Sequence, residues 1–257
     1  MSDSNVRVDR RGAILEVRLS RPERKNALSL AMYTAICDAL DSAAAEPEVR
    51  VVLITADGDA FCAGNDLQDF VQNPPTGPDS PVVRFLSTLP GFEKPIVAAV
   101  GGAAVGVGTT MLLHCDLVYA SERAVFRMPF VNLALVPEAG SSFILPRMAG
   151  HARVGEALLL GERFDADLAL ALGILTRKVE HERLREVAME KAEAMAALPP
   201  SAVRQTKALM RQGTHAAVEA AMRAEGAQFM ARLGSEEFAE AASAFFMKRA
   251  PDFSRFS

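Results

Sequence analysis

Cysteine is scarce. The chain of 257 residues holds three, Cys37, Cys62 and Cys115. They are odd in number and form no CxxC pair, so neither a zinc site nor a disulfide framework is expected. Reduced thiols of a cytoplasmic protein are the default reading. The four histidines, His114, His151, His181 and His215, are scattered. They read as structural or surface groups, and no metal is expected. "HERLR" at 181–185 begins like a zinc helix, but Arg185 stands where the second ligand is needed. No apolar run reaches about 18 residues, which argues against a membrane span. The N-terminal "MSDSNVRVDRRG" is polar and lacks the apolar segment of a signal peptide. No basic excess exists either: 28 Lys and Arg face 32 Asp and Glu, a net charge of -4. That speaks against a nucleic-acid partner, though not against a local basic pocket for an anionic substrate.

Several catalytic signatures are missing as well. "GVGTTM" lacks the third glycine of a dinucleotide fingerprint, and no GK[ST] phosphate loop occurs. The GxSxG of a serine hydrolase is absent, and Ser141-Ser142 has no histidine nearby in sequence.

What is present is an ordinary globular balance, 50% hydrophobic and 23% charged residues, with length enough for a substantial core. "NVRVDRRGAILEVRLS" reads as a hairpin turning at Arg11-Gly12. Ser29 is placed to cap a helix through "LAMYTAICDALDSAAAE", with Leu30, Ile36 and Leu40 on its buried stripe. "VRVVLIT", "KPIVAAV" and "DLVYAS" are short apolar runs expected as strands buried on both faces, and "AVFRM" as a fourth. "NPPTGPDSP" at 73–81 reads as a loop over a site. From residue 140 onward the pattern is mostly helical, with Pro199-Pro200 marking a boundary. An α/β core with an α-helical C-terminus follows: residues 1–198 as core and 199–257 as a helical region. Amphipathic stretches there, such as "AVEAAMRAEGAQFMARL", suggest assembly into oligomers.

Two segments share one layout of buried strand, glycine turn and helix: "VVLITADGDAFCAGNDL" and "IVAAVGGAAVGVGTTML". Glycine lets backbone N–H groups approach a bound oxygen with no Cβ in the way. Two such turns facing one another would form an oxyanion hole of two backbone donors. The plainer alternative is that the glycines only permit tight turns. A third stretch, "ALVPEAGSSFILP", holds a lone acid, Glu138. It either stabilises a helix start through the dipole, worth roughly 0.3–1 kcal/mol, or sits in a dry pocket and moves protons.

These residues resemble the crotonase superfamily, the enoyl-CoA hydratase/isomerase family. The matching stretches are "RPERKNALS", "AFCAGNDLQDF", "KPIVAAVGGAAVGVGTTMLLHCDLVYAS", "FRMPFVNLALVPEAGSS" and "FFMKRAPDFS", which come in the family's order across almost the whole chain. The resemblance implies a spiral of ββα turns, a C-terminal helical region that builds a homotrimer or a dimer of trimers, and an acyl-CoA thioester substrate. It implies no further cofactor, since coenzyme A comes with the substrate. The hole's donors would be the N–H groups of Asn65, after Gly64, and Val107, between Gly106 and Gly108. Ala27 and Ala63 would meet coenzyme A through their backbones, with Asp66 flanking the turn. Lys25 and Lys248 would lie near its phosphates; the plain alternative for both is a solvated surface charge. Phe245 is expected to pack within the helical tail.

Typical hydratases of this family carry glutamates at the positions of Thr110 and Phe130, and both are absent. Glu138, in the "PE" of "VPEAGSS", stands where enoyl-CoA delta-isomerases place a single acid. Phe130, Val131, Leu133 and Leu135 are expected to make its surroundings apolar. The implied activity is conversion of a 3-enoyl-CoA to the trans-2-enoyl-CoA by Glu138. The alternatives are a hydratase, a ring-thioester isomerase and a non-catalytic acyl-CoA binder.

Overall fold

The computed structural model describes residues 5–74, 77 and 79–256. Two sheets organise it. Six strands form the larger one: β1 (Val6–Arg11), β2 (Ile14–Leu19), β3 (Val51–Ala56), β5 (Ile96–Val100), β7 (Leu117–Ser121) and β10 (Arg177–Val179), in the order β1-β2-β3-β5-β7-β10. Four three-residue strands form the smaller: β4 (Ala60–Cys62), β6 (Ala103–Val105), β8 (Val125–Arg127) and β9 (Arg163–Asp165). The hairpin β1–β2 is antiparallel, with Val6 opposite Leu19, while β2, β3, β5 and β7 run parallel. Successive strands alternate between sheets: β3 then β4, β5 then β6, β7 then β8. This is the expected spiral of ββα turns.

The apolar runs explain why the large sheet is covered on both faces. Side chains alternate across a strand. Val52 and Ile54 of β3, with Ile96, Ala98 and Val100 of β5, enter the main core beside helix α1 (Leu30–Ala45). Val51, Leu53, Val97 and Ala99 turn the other way and meet Leu184, Ala188 and Ala192 of helix α8 (Leu184–Ala196). Ser29 does cap α1, its side chain accepting from Met32 N–H. The buried stripe of α1 includes Ile36 and Leu40 but begins at Met32, with Leu30 only partly buried.

The remaining helices are α2 (Leu67–Gln72), α3 (Pro81–Gly91), the four-residue α4 (Val107–Thr110), α5 (Ser141–Ala149), α6 (His151–Gly155), α7 (Ala166–Ala171), α9 (Pro200–Gln212), α10 (His215–Leu233) and α11 (Glu236–Phe246). Within the loop expected at 73–81, residues 75, 76 and 78 lie outside the described residues, and Pro81 already begins α3. The chain from 140 onward is mostly helical as expected, with two short strands, β9 and β10, set within it. Strands β4 and β6 were not anticipated. Three residues are too few to show a period of two. Their approach depends instead on Gly102, where a Cβ would lie 1.9 Å from the carbonyl oxygen of Asp59.

Candidate active site

The two glycine turns end the paired strands β4 and β6, which brings them together. In the first turn, Leu28 N–H donates to Gly64 O at 2.8 Å, and Asp66 N–H donates to Leu28 O at 2.9 Å. Backbone groups alternate sides along an extended segment. Asn65, between these two bonded residues, therefore turns its N–H away from Leu28. Gly64 has φ +97°, a conformation that side-chain-bearing residues rarely adopt. The turn is anchored on all sides. Ala63 N–H donates to Lys25 O at 3.0 Å. Asp66 caps α2 and pairs with Arg21 at 2.8 Å, and the same Arg21 nitrogen donates to Ala27 O. Partial burial works to raise the Asp66 pKa, but the Arg21 guanidinium and the capping N–H groups outweigh it and hold the carboxyl below its usual range. Asn65 itself is fixed by Tyr33, whose hydroxyl donates to Asn65 Oδ1 at 2.6 Å.

In the second turn, Gly106 (φ +55°) donates its N–H to Arg127 O, and α4 begins at Val107. The N–H groups of a first helical turn have no partner within the helix, so Val107 N–H is open to a ligand. The two turns abut backbone to backbone. A Cβ on Gly64 would sit 3.1 Å from Val105 O, and one on Gly108 would sit 2.5 Å from Cys62 O.

Glu138 lies in the turn before α5, 7% exposed. Its Oε1 has no hydrogen-bond partner, and neither has the Oγ1 of buried Thr110. Burial, and secondarily the negative charge of Glu225, push its pKa up to about 7; the nearby Thr110 hydroxyl pulls slightly the other way. In turn the Glu138 charge helps to raise the pKa of Tyr33 and of Cys62. The carboxyl is therefore within electrostatic reach of Tyr33, which holds Asn65, and of Thr110 at the end of α4.

The turn around Glu138 is over-determined. Ala139 takes φ +59°, left-handed and unfavourable for alanine. Buried His114 holds its carbonyl, with Nε2 to Ala139 O at 2.8 Å. Since that carbonyl can only accept, Nε2 carries the proton. Burial lowers the His114 pKa to about 4 and keeps the ring neutral. Ser141 Oγ donates to Glu138 O at 2.6 Å. From α10, the buried Glu225 carboxylate accepts Gly140 N–H at 2.6 Å on one oxygen, and Ser142 N–H at 2.9 Å together with its hydroxyl on the other.

A cavity of about 340 Å³ opens beside Glu138, walled by Phe70, Val82, Leu86, Met222, Phe229 and Met230. The apolar surroundings thus come from α2, α3 and α10. Phe130, Leu133 and Leu135 pack into or against the same core that holds Phe70, Val82 and Phe229, and neither they nor Val131 line this cavity. A larger cavity of about 640 Å³ lies against α9 and touches neither glycine turn. Lys25 is exposed beside the first turn. Lys248 follows α11 by two residues, exposed and making no side-chain hydrogen bond among the described residues. Phe245 is 57% exposed, against the expectation that it would pack in the tail. Among the described residues no cluster of His, Cys, Asp and Glu could hold a metal ion, and no helix is long and apolar enough to cross a membrane. Tyr33, His114 and Glu225 are the polar partners that sequence reasoning did not place here.

A family model described as enoyl-CoA hydratase/isomerase matches residues 9–255. The chain is 34% identical over 250 residues to enoyl-CoA delta isomerase 2 of Rattus norvegicus, covering 95% of this chain but 64% of that protein's length. It is 32% identical to the 2,3-dehydroadipyl-CoA hydratase of Escherichia coli, over 97% of this chain and 98% of the other. Among solved structures, an enoyl-CoA hydratase/isomerase from Pseudoalteromonas atlantica superposes with a TM-score of 0.92 at 44% identity, covering 97% of this chain and 100% of that one.

Proposed function

The chain belongs to the enoyl-CoA hydratase/isomerase family, and on that premise we propose that it moves the double bond of a 3-enoyl-CoA to give the trans-2-enoyl-CoA. The thioester oxygen accepts hydrogen bonds from Asn65 N–H and Val107 N–H, which stabilise the charge that develops there. Glu138 takes the proton from C2. The electrons of that C–H bond delocalise over a dienolate, and Glu138 returns the proton to C4 as the C2–C3 double bond forms. The acyl group lies in the apolar cavity between α3 and α10. Exposed Lys25, beside Ala63 and Ala27, is positioned to meet the coenzyme A end.

The observation that carries this reading is the count of free carboxylates. Hydration needs one group to activate water and another to manage the α-proton. Among the described residues two acids line the cavity, Glu138 and Glu225, but both oxygens of Glu225 are engaged by backbone N–H groups. One free carboxylate suffices for a proton shift in which the proton leaves and returns on one face. Incubation with linear 3-enoyl-CoAs should therefore build up the conjugated enoyl absorbance, and crotonyl-CoA should show little loss of it. Fast conversion of crotonyl-CoA to the 3-hydroxyacyl-CoA would replace this reading with hydration. Turnover confined to ring thioesters would redirect it to that substrate class.

The state of Glu138 sets the pH dependence. A base must be ionised to accept a proton, and this one titrates near 7. Isomerisation should fall tenfold for each pH unit below that value and level off above it. A flat rate between pH 5 and 8 would mean that another group takes the proton.

A further inference from the structure

Glu225 is a buried acid that the proton shift does not use. It is 7% exposed, on a helix whose other buried residues are Val218 and Phe229. A carboxylate withdrawn from water costs stability unless its oxygens are satisfied, and here three donors satisfy them, all from Gly140 and Ser142. Those two residues follow Glu138 by two and four positions. We infer that Glu225 is a positioning residue: it locks the left-handed turn that carries Glu138, and its fixed negative charge keeps Glu138 a strong base. The inference rests on the isomerase reading only for its kinetic readout.

The local electrostatics isolate Glu225 as the effective charge. The groups around Glu138 can be taken element by element. Tyr33 on α1 has its pKa raised well above the ordinary value by burial and is neutral. Cys62 on β4, pushed up to about 12 by burial, is neutral too. Thr110 on α4 carries no charge, and His114 behind the turn is the neutral imidazole already described. Arg223 also lines the cavity, but it is exposed, where water screens it. That leaves Glu225. A like charge disfavours ionisation of its neighbour, so removing it should make Glu138 a weaker base and lower its pKa.

Two substitutions separate charge from position. Glu225→Gln deletes the charge and keeps one accepting oxygen, but its amide NH2 faces one of the N–H groups of Gly140 and Ser142, so a plateau loss is shared with Glu225→Asp and the limb shift is the readout of charge. The acidic limb of the Gln variant's pH–rate profile should move down by about one pH unit. Glu225→Asp keeps the charge but withdraws it by one methylene. Its limb should move less than that of the Gln variant, while the plateau kcat drops about tenfold or more, since small misplacements of a reacting group are costly, and KM should change little. A merely structural carboxylate would move neither limb. The ionisation of Glu138 can also be followed without turnover, as the infrared carbonyl band of its protonated form, identified by its loss in Glu138→Gln. Its midpoint should fall in Glu225→Gln whatever reaction the enzyme performs. An unmoved midpoint in the Gln variant, or an unchanged plateau in the Asp variant, overturns the inference; absence of isomerisation with a shifted midpoint overturns only the assigned reaction.

Discussion

Glu138→Gln is expected to lower kcat on a 3-enoyl-CoA by about 10²–10⁴-fold. The amide keeps the size and much of the hydrogen-bonding capacity of the carboxyl, but it cannot hold the proton in transit. The loss should sit at the upper end of the range, because the other acid in the cavity is already bonded to Gly140 and Ser142. Folding should not suffer. A carboxyl whose pKa rises from 4.5 to about 7 on folding contributes its full stability below pH 4.5. That contribution is lost as pH rises to 7, leaving a constant deficit above it, roughly 3 kcal/mol at 1.36 kcal/mol per pH unit. Gln carries no such deficit, so the variant should melt no lower than the parent at pH 8. A saturated acyl-CoA should bind as before, because the Asn65 and Val107 turns are untouched. Wild-type turnover by Glu138→Gln would reduce the carboxyl in "ALVPEAGSSFILP" to a helix-start charge and place the base elsewhere.

Gly108→Ala should be nearly as damaging, for a steric reason. The new methyl would lie 2.5 Å from Cys62 O and 2.8 Å from Cys62 Cβ. Both are rigid parts of β4, so α4 must retreat. Val107 N–H retreats with it, and loss of one oxyanion donor costs about 10²–10³-fold in kcat. Strain of this kind also destabilises by about 1–3 kcal/mol. Gly155→Ala provides the control. Nothing lies within 4 Å of a Cβ there, and at the end of helix α6 it should leave the rate alone and cost no stability. A Gly108→Ala enzyme with the parent's kcat would show that Val107 N–H does not hold the thioester oxygen.

How much of this was readable beforehand depended on the range over which each feature is encoded. Strands β3, β5 and β7 declare themselves in four or five consecutive apolar residues, and Ser29 announces α1 through a local cap. The glycine turns were visible because Gly64, Gly106 and Gly108 each follow a buried strand within a few residues. Strands β4 and β6 were not, because three residues carry no period and their pairing depends on Gly102 meeting Asp59. The wall of the cavity was not legible for a related reason. Val131, Leu133 and Leu135 are near Glu138 along the chain, whereas Phe70, Val82 and Phe229 are near it in space. Nothing local in "AAMRAEGAQFMARL" marks Glu225. Its role arises from a contact that spans 83 to 85 residues.

Helix α10 buries only Val218, Glu225 and Phe229 along its nineteen residues within one chain. Yet it supplies both the Glu225 carboxylate that holds Gly140 and Ser142 and one side of the cavity beside Glu138. Detaching such a helix is a smaller event than melting the two sheets, and proteins open in partial units of this kind. Heat, a denaturant at low concentration or a protease acting between α9 and α10 would then silence the enzyme while its sheets remain intact. Residual activity and residual structure need not decline together in this protein, and a shelf-life judged by circular dichroism would overstate how long a preparation stays active.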